Sequence, residues 1–325
     1  MAIRLIPDNA GIAKAIAILR GGGLVAIPTE TVYGLAADAT NGHAVALIYE
    51  VKGRPSFNPL ICHVADMQMS ECLGVFDELS RTLAEAFWPG PLTLVLPCAE
   101  GSPIHPLTTA GLKSIGLRMP EGAARKVIEQ LGAPLAAPSA NSSGRISATS
   151  ADAVQADLGD KIDLILDGGI CPVGVESTIV KVEEGQVRLL RPGGISAEDI
   201  ARVTGKPVVR ADQRAAIEAP GMLASHYAPR AKVRLDAMRI LPDEALLAFG
   251  PRRVCGVQSS MLTLNLSETG DLREAAANLF AHLSRLDFEG VRCIAVEPIP
   301  MRGLGEAIND RLMRAAAPRD AGELT

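Results

Sequence analysis

The chain has 325 residues, too many for one compact core of ordinary size, so two domains are expected. With 48% apolar and 21% charged residues it has the composition of a well-buried globular protein, and a net charge of −5 argues against a generic polyanion binder while leaving room for a local basic cleft. Its six cysteines form no Cys-x-x-Cys pair and most lack a histidine neighbour, so neither a zinc site nor a disulfide framework is predicted, and with no signal-peptide pattern or long unbroken apolar run a cytoplasmic, soluble protein is expected.

Asp8 or Asn9 can cap a first helix with Ile12, Ala13, Ile16 and Leu19 on its apolar face, closed by the glycines at 21 to 23. A short buried strand from Leu24 to Ile27 ends at Pro28, and a hydroxyl-rich polar turn runs to Gly34. A helical pattern at Val45, Ile48 and Val51 stops at Gly53, where Lys52 and Arg54 open a stiff loop with prolines at 55 and 59. A strand from Leu60 to Val64 follows, then a helix through Leu79, Leu83 and Phe87 stopped by Trp88-Pro-Gly-Pro91. Leu92 to Leu96 and Ser114 to Met119 read as strands and Ala123 to Leu131 as a helix. Ile179 to Val182 and Val187 to Leu190, joined by Glu184-Gly185, read as a hairpin, so the sheet should be mixed. Composition changes near residue 205. Beyond a linker, strands are predicted at Ala245 to Phe249, Leu262 to Leu266 and Ile294 to Val296, with helices at Leu272 to Leu286 and Leu304 to Met313. The expected fold class is α/β, an N-terminal domain with a twisted mixed sheet and a smaller C-terminal α/β domain.

Five segments carry side chains suited to anions. In the loop after Lys52, Arg54 offers a rigid fork and Lys52 a point charge, although Lys52 also fits as a helix-end charge. Ser139 and Asn141 follow a short apolar strand, where α/β sheets bind ligands, or else belong to a solvated Ser/Gly loop. Arg118 interrupts a strand pattern and needs an anionic partner, either a ligand or a structural carboxylate. Glu176-Ser-Thr178 and Arg191 flank the hairpin, the first also reading as ordinary strand composition and the second as a surface charge. The histidines show no triad or metal spacing, and there is no P-loop or dinucleotide fingerprint, so ATP would be held by another device.

In order along the chain, Pro28-Thr-Glu-Thr-Val-Tyr-Gly-Leu35, Lys52-Gly-Arg-Pro-Ser-Phe-Asn-Pro-Leu60, Phe87-Trp-Pro-Gly-Pro-Leu-Thr93, Gly116-Leu-Arg-Met-Pro120, Pro138-Ser-Ala-Asn141, Glu176-Ser-Thr-Ile179 and Arg191-Pro-Gly-Gly194 closely resemble the YrdC-like domain. Pro220 to Pro229 and Gly303 to Arg311 are similar to the two-domain form of that family, the long threonylcarbamoyl-AMP synthases. The resemblance implies a YrdC-like catalytic domain over 1–205, a linker over 206–232 that folds over the cleft, and a Rossmann-like C-terminal domain over 233–325. It implies a nucleotidyltransferase that makes threonylcarbamoyl-AMP and pyrophosphate from L-threonine, bicarbonate and ATP. The product would pass to a tRNA threonylcarbamoyl transferase for N6-threonylcarbamoyladenosine formation. Weak RNA binding, no membrane partner, and Mg2+ carried with ATP without protein ligands are also expected.

By the same resemblance Lys52 and Arg54 are catalytic. ATP contacts fall on Arg54, Asn58, Ser114, Ser139, Asn141, Ser147, Arg191, His226 and Tyr227, and threonine contacts on Thr31, His63, Arg118 and Ser177. Leu223 stands where the linker motif of the family has a basic residue. A non-catalytic RNA-binding module is the rival reading, but the acidic net charge and few aromatics disfavour a stacking platform. A carbamoyl-transfer accessory domain would need zinc-finger cysteines that are absent.

Overall fold

Asp8 accepts a hydrogen bond from the Gly11 amide and so starts α1 (Asn9–Arg20), which buries Ile12, Ala15, Ile16 and Leu19. Ala13, expected on that buried face, is exposed, and Ala15 takes its place one turn from Ile12. β1 (Ile3–Leu5) precedes this helix, and β2 (Val25–Ile27) and β3 (Gly34–Asp38) follow it. Asn41 caps α2 (Gly42–Lys52), which ends at Gly53 with φ 60°, the left-handed conformation glycine adopts at least cost.

The chain continues through β4 (Ile61–His63), α3 (Met67–Glu71), α4 (Glu78–Phe87), β5 (Leu92–Pro97), β6 (Ser114–Arg118), α5 (Ala123–Leu131) and β7 (Leu135–Ala136). Then come α6 (Ala151–Leu158), β8 (Leu164–Leu166), the hairpin β9 (Thr178–Glu183) and β10 (Gln186–Arg191), α7 (Ala197–Thr204) and β11 (Val208–Arg210). This computed structural model describes residues 1–211, 218–221 and 225–318.

Two compact units divide the chain, Met1–Ser143 with Ser147–Met222, and Gly144–Ile146 with Leu223–Thr325. Among the described residues the first holds an eleven-stranded mixed sheet ordered β1-β8-β2-β3-β7-β4-β6-β5-β9-β10-β11. The stretch expected as linker opens with β11, paired parallel to β10 through Val187 and Val208.

One face of this sheet packs into the main core, with Val45, Ile48, Leu83, Val154 and Ile200 supplied by helices α2, α4, α6 and α7. On the other face, α1 and α5 cover β2, β3 and β7 with Leu19, Val127 and Ile128. Across β4, β6, β5 and β9 that second face instead carries polar side chains around a small apolar patch of Ile61, Val95, Ile179, Leu190 and Ala219.

In the second unit β12 (Lys232–Arg234), β13 (Glu244–Ala248), β14 (Thr263–Asn265) and β15 (Cys293–Val296) form a sheet ordered β12-β15-β13-β14. All of its pairings are parallel, so the chain must cross over between strands, as α8 (Leu272–Leu286) does from β14 to β15, while α9 (Leu304–Ala316) follows the last strand. Among the described residues no helix is long and apolar enough to cross a membrane.

Candidate active site

Strand alternation decides which side chains meet. In β6, Ile115 and Leu117 enter the main core, so Ser114 and Arg118 point to the opposite face. The parallel register of β4 and β6 sets His63 beside Arg118, and β5 and β9 bring Thr93 and Ser177 to the same face. A small cavity on this face is lined by Pro59, Thr93, Ser114 and Pro220 among others.

Lys52 is not the solvated helix-end charge that its place at the end of α2 allowed. Its side chain is buried, and Nζ donates to the Ser139 carbonyl at 2.6 Å and to the Asn141 carbonyl. Burial, and next the neighbouring Arg54 guanidinium, push this ammonium down to about 7. Arg54 donates from Nε to the Asn58 carbonyl at 3.1 Å and from Nη2 to the Pro59 carbonyl at 2.7 Å, which shapes the loop around it. The side chain of Asn58 is buried, yet among the described residues neither its Oδ1 nor its Nδ2 has a hydrogen-bond partner. Ser142 is pinned through its amide and hydroxyl to Asp157 at 2.7 and 2.6 Å, so the Ser139 to Ser142 segment is anchored rather than solvated. Ser147 donates to the buried Glu176 carboxylate at 2.5 Å.

Arg118 is buried and donates from Nη2 to Glu30 at 2.5 Å and from Nε to the Gly90 carbonyl at 3.3 Å. The structural carboxylate that this arginine called for is Glu30, and the guanidinium lies on the face that carries the polar cluster. Burial, followed by the Arg118 charge, lowers the His63 imidazole to about 3, so His63 is neutral at physiological pH. Thr31 is fully buried, its hydroxyl 2.8 Å from that of Thr29. Arg191 is no surface charge. It is buried and donates from Nη2 to the Ser177 carbonyl at 2.8 Å and hydroxyl at 3.1 Å, and that hydroxyl lies 2.7 Å from Thr93 Oγ1.

The first unit thus holds every candidate except His226 and Tyr227, which belong to the second. There Tyr227 is buried with φ 62°, its ring 5.5 Å from Phe280 and 5.3 Å from the Arg311 guanidinium carbon. The His226 amide donates to the Arg314 carbonyl of α9 at 3.3 Å. Leu223 lies outside the described residues.

Residues 17–193 match the Sua5_yciO_yrdC family model, described as telomere recombination, and residues 195–317 match the model of the threonylcarbamoyl-AMP synthase C-terminal domain. Threonylcarbamoyl-AMP synthase of Bacillus subtilis is 42% identical over 333 residues, covering 97% of this chain and 95% of that protein. The enzyme of the same name from Pyrococcus abyssi is 42% identical, with 94% of each chain covered. The crystal structure of P. abyssi Sua5 complexed with L-threonine superposes with a TM-score of 0.88 at 37% identity, covering 97% of both chains. The chain belongs to the threonylcarbamoyl-AMP synthase family.

Three buried side chains of this family member lie within the motifs but receive no role from sequence. Glu30 pairs with Arg118, Thr93 with Ser177, and Glu176 with Ser147. A lone carboxylate or hydroxyl within an apolar or β-branched context is their only signal, and its partner is far away in sequence.

Proposed function

We infer that this chain is an L-threonylcarbamoyladenylate synthase that converts L-threonine, bicarbonate and ATP into threonylcarbamoyl-AMP and pyrophosphate. The observation that carries the reading is the shared face of the first unit's sheet, where buried Arg118, His63 and Ser177 adjoin Arg191, while Asn58 presents an amide with no partner among the described residues. A buried amide of that kind is explained by a ligand.

Threonine's amine adds to CO2 with loss of a proton, or to bicarbonate with loss of water, to give a carbamate; a carbamate oxygen then bonds to the α-phosphorus as the bond to the leaving pyrophosphate breaks. Arg118 takes the threonine carboxylate, with neutral His63, Thr31 and Ser177 as its further contacts. Asn58, Ser114, Ser139, Asn141, Ser147, His226 and Tyr227 are assigned to the nucleotide. Carbamate and triphosphate are both anionic and repel each other, and Lys52, Arg54 and Arg191 offset that repulsion. Positioning supplies the rest, because alignment of bound reactants can lower a barrier by about 7 to 11 kcal/mol.

Mg2+ carried with ATP would neutralise part of the phosphate charge. No protein side chain is assigned to this ion. Transfer of the product to a tRNA-modifying transferase in the cytoplasm completes the proposal.

The test is pyrophosphate release with threonine or bicarbonate omitted in turn. Strict dependence on both supports the synthase. Release without either, or no turnover together with tight RNA binding, overturns it.

A further inference from the structure

Glu30 sits in a turn built to hold it inward. Thr29 Oγ1 accepts from the amides of Thr31 and Val32 at 3.2 and 3.3 Å and donates to the Val32 carbonyl at 2.7 Å, which closes the turn around Glu30. Both carboxylate oxygens of Glu30 are then occupied, Oε1 by Arg118 Nη2 at 2.5 Å and Oε2 by the Glu121 amide at 3.1 Å. The pair is buried on both sides, with side-chain exposures of 4% for Arg118 and 8% for Glu30.

A guanidinium has five N–H donors, arranged as one edge between Nε and Nη2 and another between Nη1 and Nη2. Both nitrogens of the first edge have an acceptor, the Gly90 carbonyl on Nε and Glu30 on Nη2. Among the described residues nothing accepts from Nη1. The remaining edge presents the two parallel N–H groups that a carboxylate takes in bidentate fashion.

We propose that Glu30 is a positioning residue for the amino-acid substrate: it fixes the Arg118 guanidinium so that only its Nη1/Nη2 edge is offered to the threonine α-carboxylate. This rests on the assignment of Arg118 to threonine under the proposed function. Because the same turn carries Thr31, Glu30 also ties the carboxylate fork to a second threonine contact. The side chain itself touches Arg118 rather than substrate, so its loss acts on threonine and spares the nucleotide.

The experiment titrates L-threonine calorimetrically into full-length wild type, Glu30→Gln, Glu30→Ala and Arg118→Ala, and measures KM for threonine and for ATP in pyrophosphate release. Melting temperatures report folding. Glu30→Ala should weaken threonine binding about tenfold or more, the scale of an unmet charged hydrogen bond, with KM for ATP unchanged. Glu30→Gln keeps an acceptor for Arg118 and should restore most of that loss. Since removing one partner of a buried ion pair can unfold a protein, Glu30→Gln carries the test if Glu30→Ala does not fold. In that case its threonine affinity should fall about two- to fivefold with ATP unaffected, reflecting the weaker neutral hydrogen bond. The proposal falls if the Glu30 variants lower only the melting temperature while Arg118→Ala impairs threonine binding. If Arg118→Ala leaves threonine binding intact, the assignment of Arg118 falls, and this inference with it.

Discussion

An unpaired buried polar group costs roughly 1 to 3 kcal/mol, and Asn58 carries two such atoms on one side chain. Removing them should therefore not harm the fold. Asn58→Ala is expected to melt at the wild-type temperature or above it while KM for ATP rises about tenfold, the worth of one to two hydrogen bonds to the nucleotide. Thermal melts beside an ATP titration check this, and a destabilised variant with normal ATP use would remove Asn58 from the site. Arg118 shows the limit of reading single residues. Its place in a strand demands an anion, but whether that anion is a ligand or Glu30 depends on a contact 88 residues away in sequence.

At the scale of elements, the hairpin β9–β10 was visible because Glu184 and Gly185 suit a tight turn, and both indeed have positive φ, 52° and 71°. The close approach of the chain just after the hairpin was not visible. A Cβ at Gly193 would lie 2.4 Å from the Glu176 carbonyl oxygen and from the Thr178 amide nitrogen, so only glycine lets the chain pass behind Ser177. Gly193→Ala should push the Ser177 segment away from Arg191 and Thr93, lowering stability by about 1 to 3 kcal/mol and abolishing most pyrophosphate release. A melting curve like that of wild type with normal turnover would contradict this. Two of the strands that sequence missed carry little strand pattern of their own. β1 has three residues, too few to show a period, and β3, Gly-Leu-Ala-Ala-Asp, lacks any β-branched residue. Their strand geometry comes from pairing with neighbours, as β3 does with β2 and β7.

For the molecule as a whole, two buried bases make stability depend on pH. Lys52 falls from 10.5 to about 7 and His63 from 6.5 to about 3, so in each window the unfolded chain binds a proton that the folded chain refuses. Stability then rises with pH, through pH 7 to 10.5 on account of Lys52 and through pH 3 to 6.5 on account of His63. In Lys52→Met the rise between pH 7 and 10.5 should flatten relative to wild type while the acid window is unchanged. Melting temperature against pH for the two proteins checks this, and parallel curves would show that Lys52 keeps its proton in the fold.

Sequence alone determined what depends on near neighbours: the helices with their Asp8 and Gly53 ends, the hairpin, the two-part α/β architecture, and the ordered motifs that mark the family. Tertiary structure decided what each charged group does. Lys52 could have been a helix-end charge and Arg191 a surface one, until packing placed the first against the Ser139 and Asn141 carbonyls and the second against Ser177. The physical reason is range. Caps and turns are settled by atoms within a few residues along the chain, whereas the partner of a buried charge is chosen by strand order and register, which bring together segments 28, 87 or 88 positions apart.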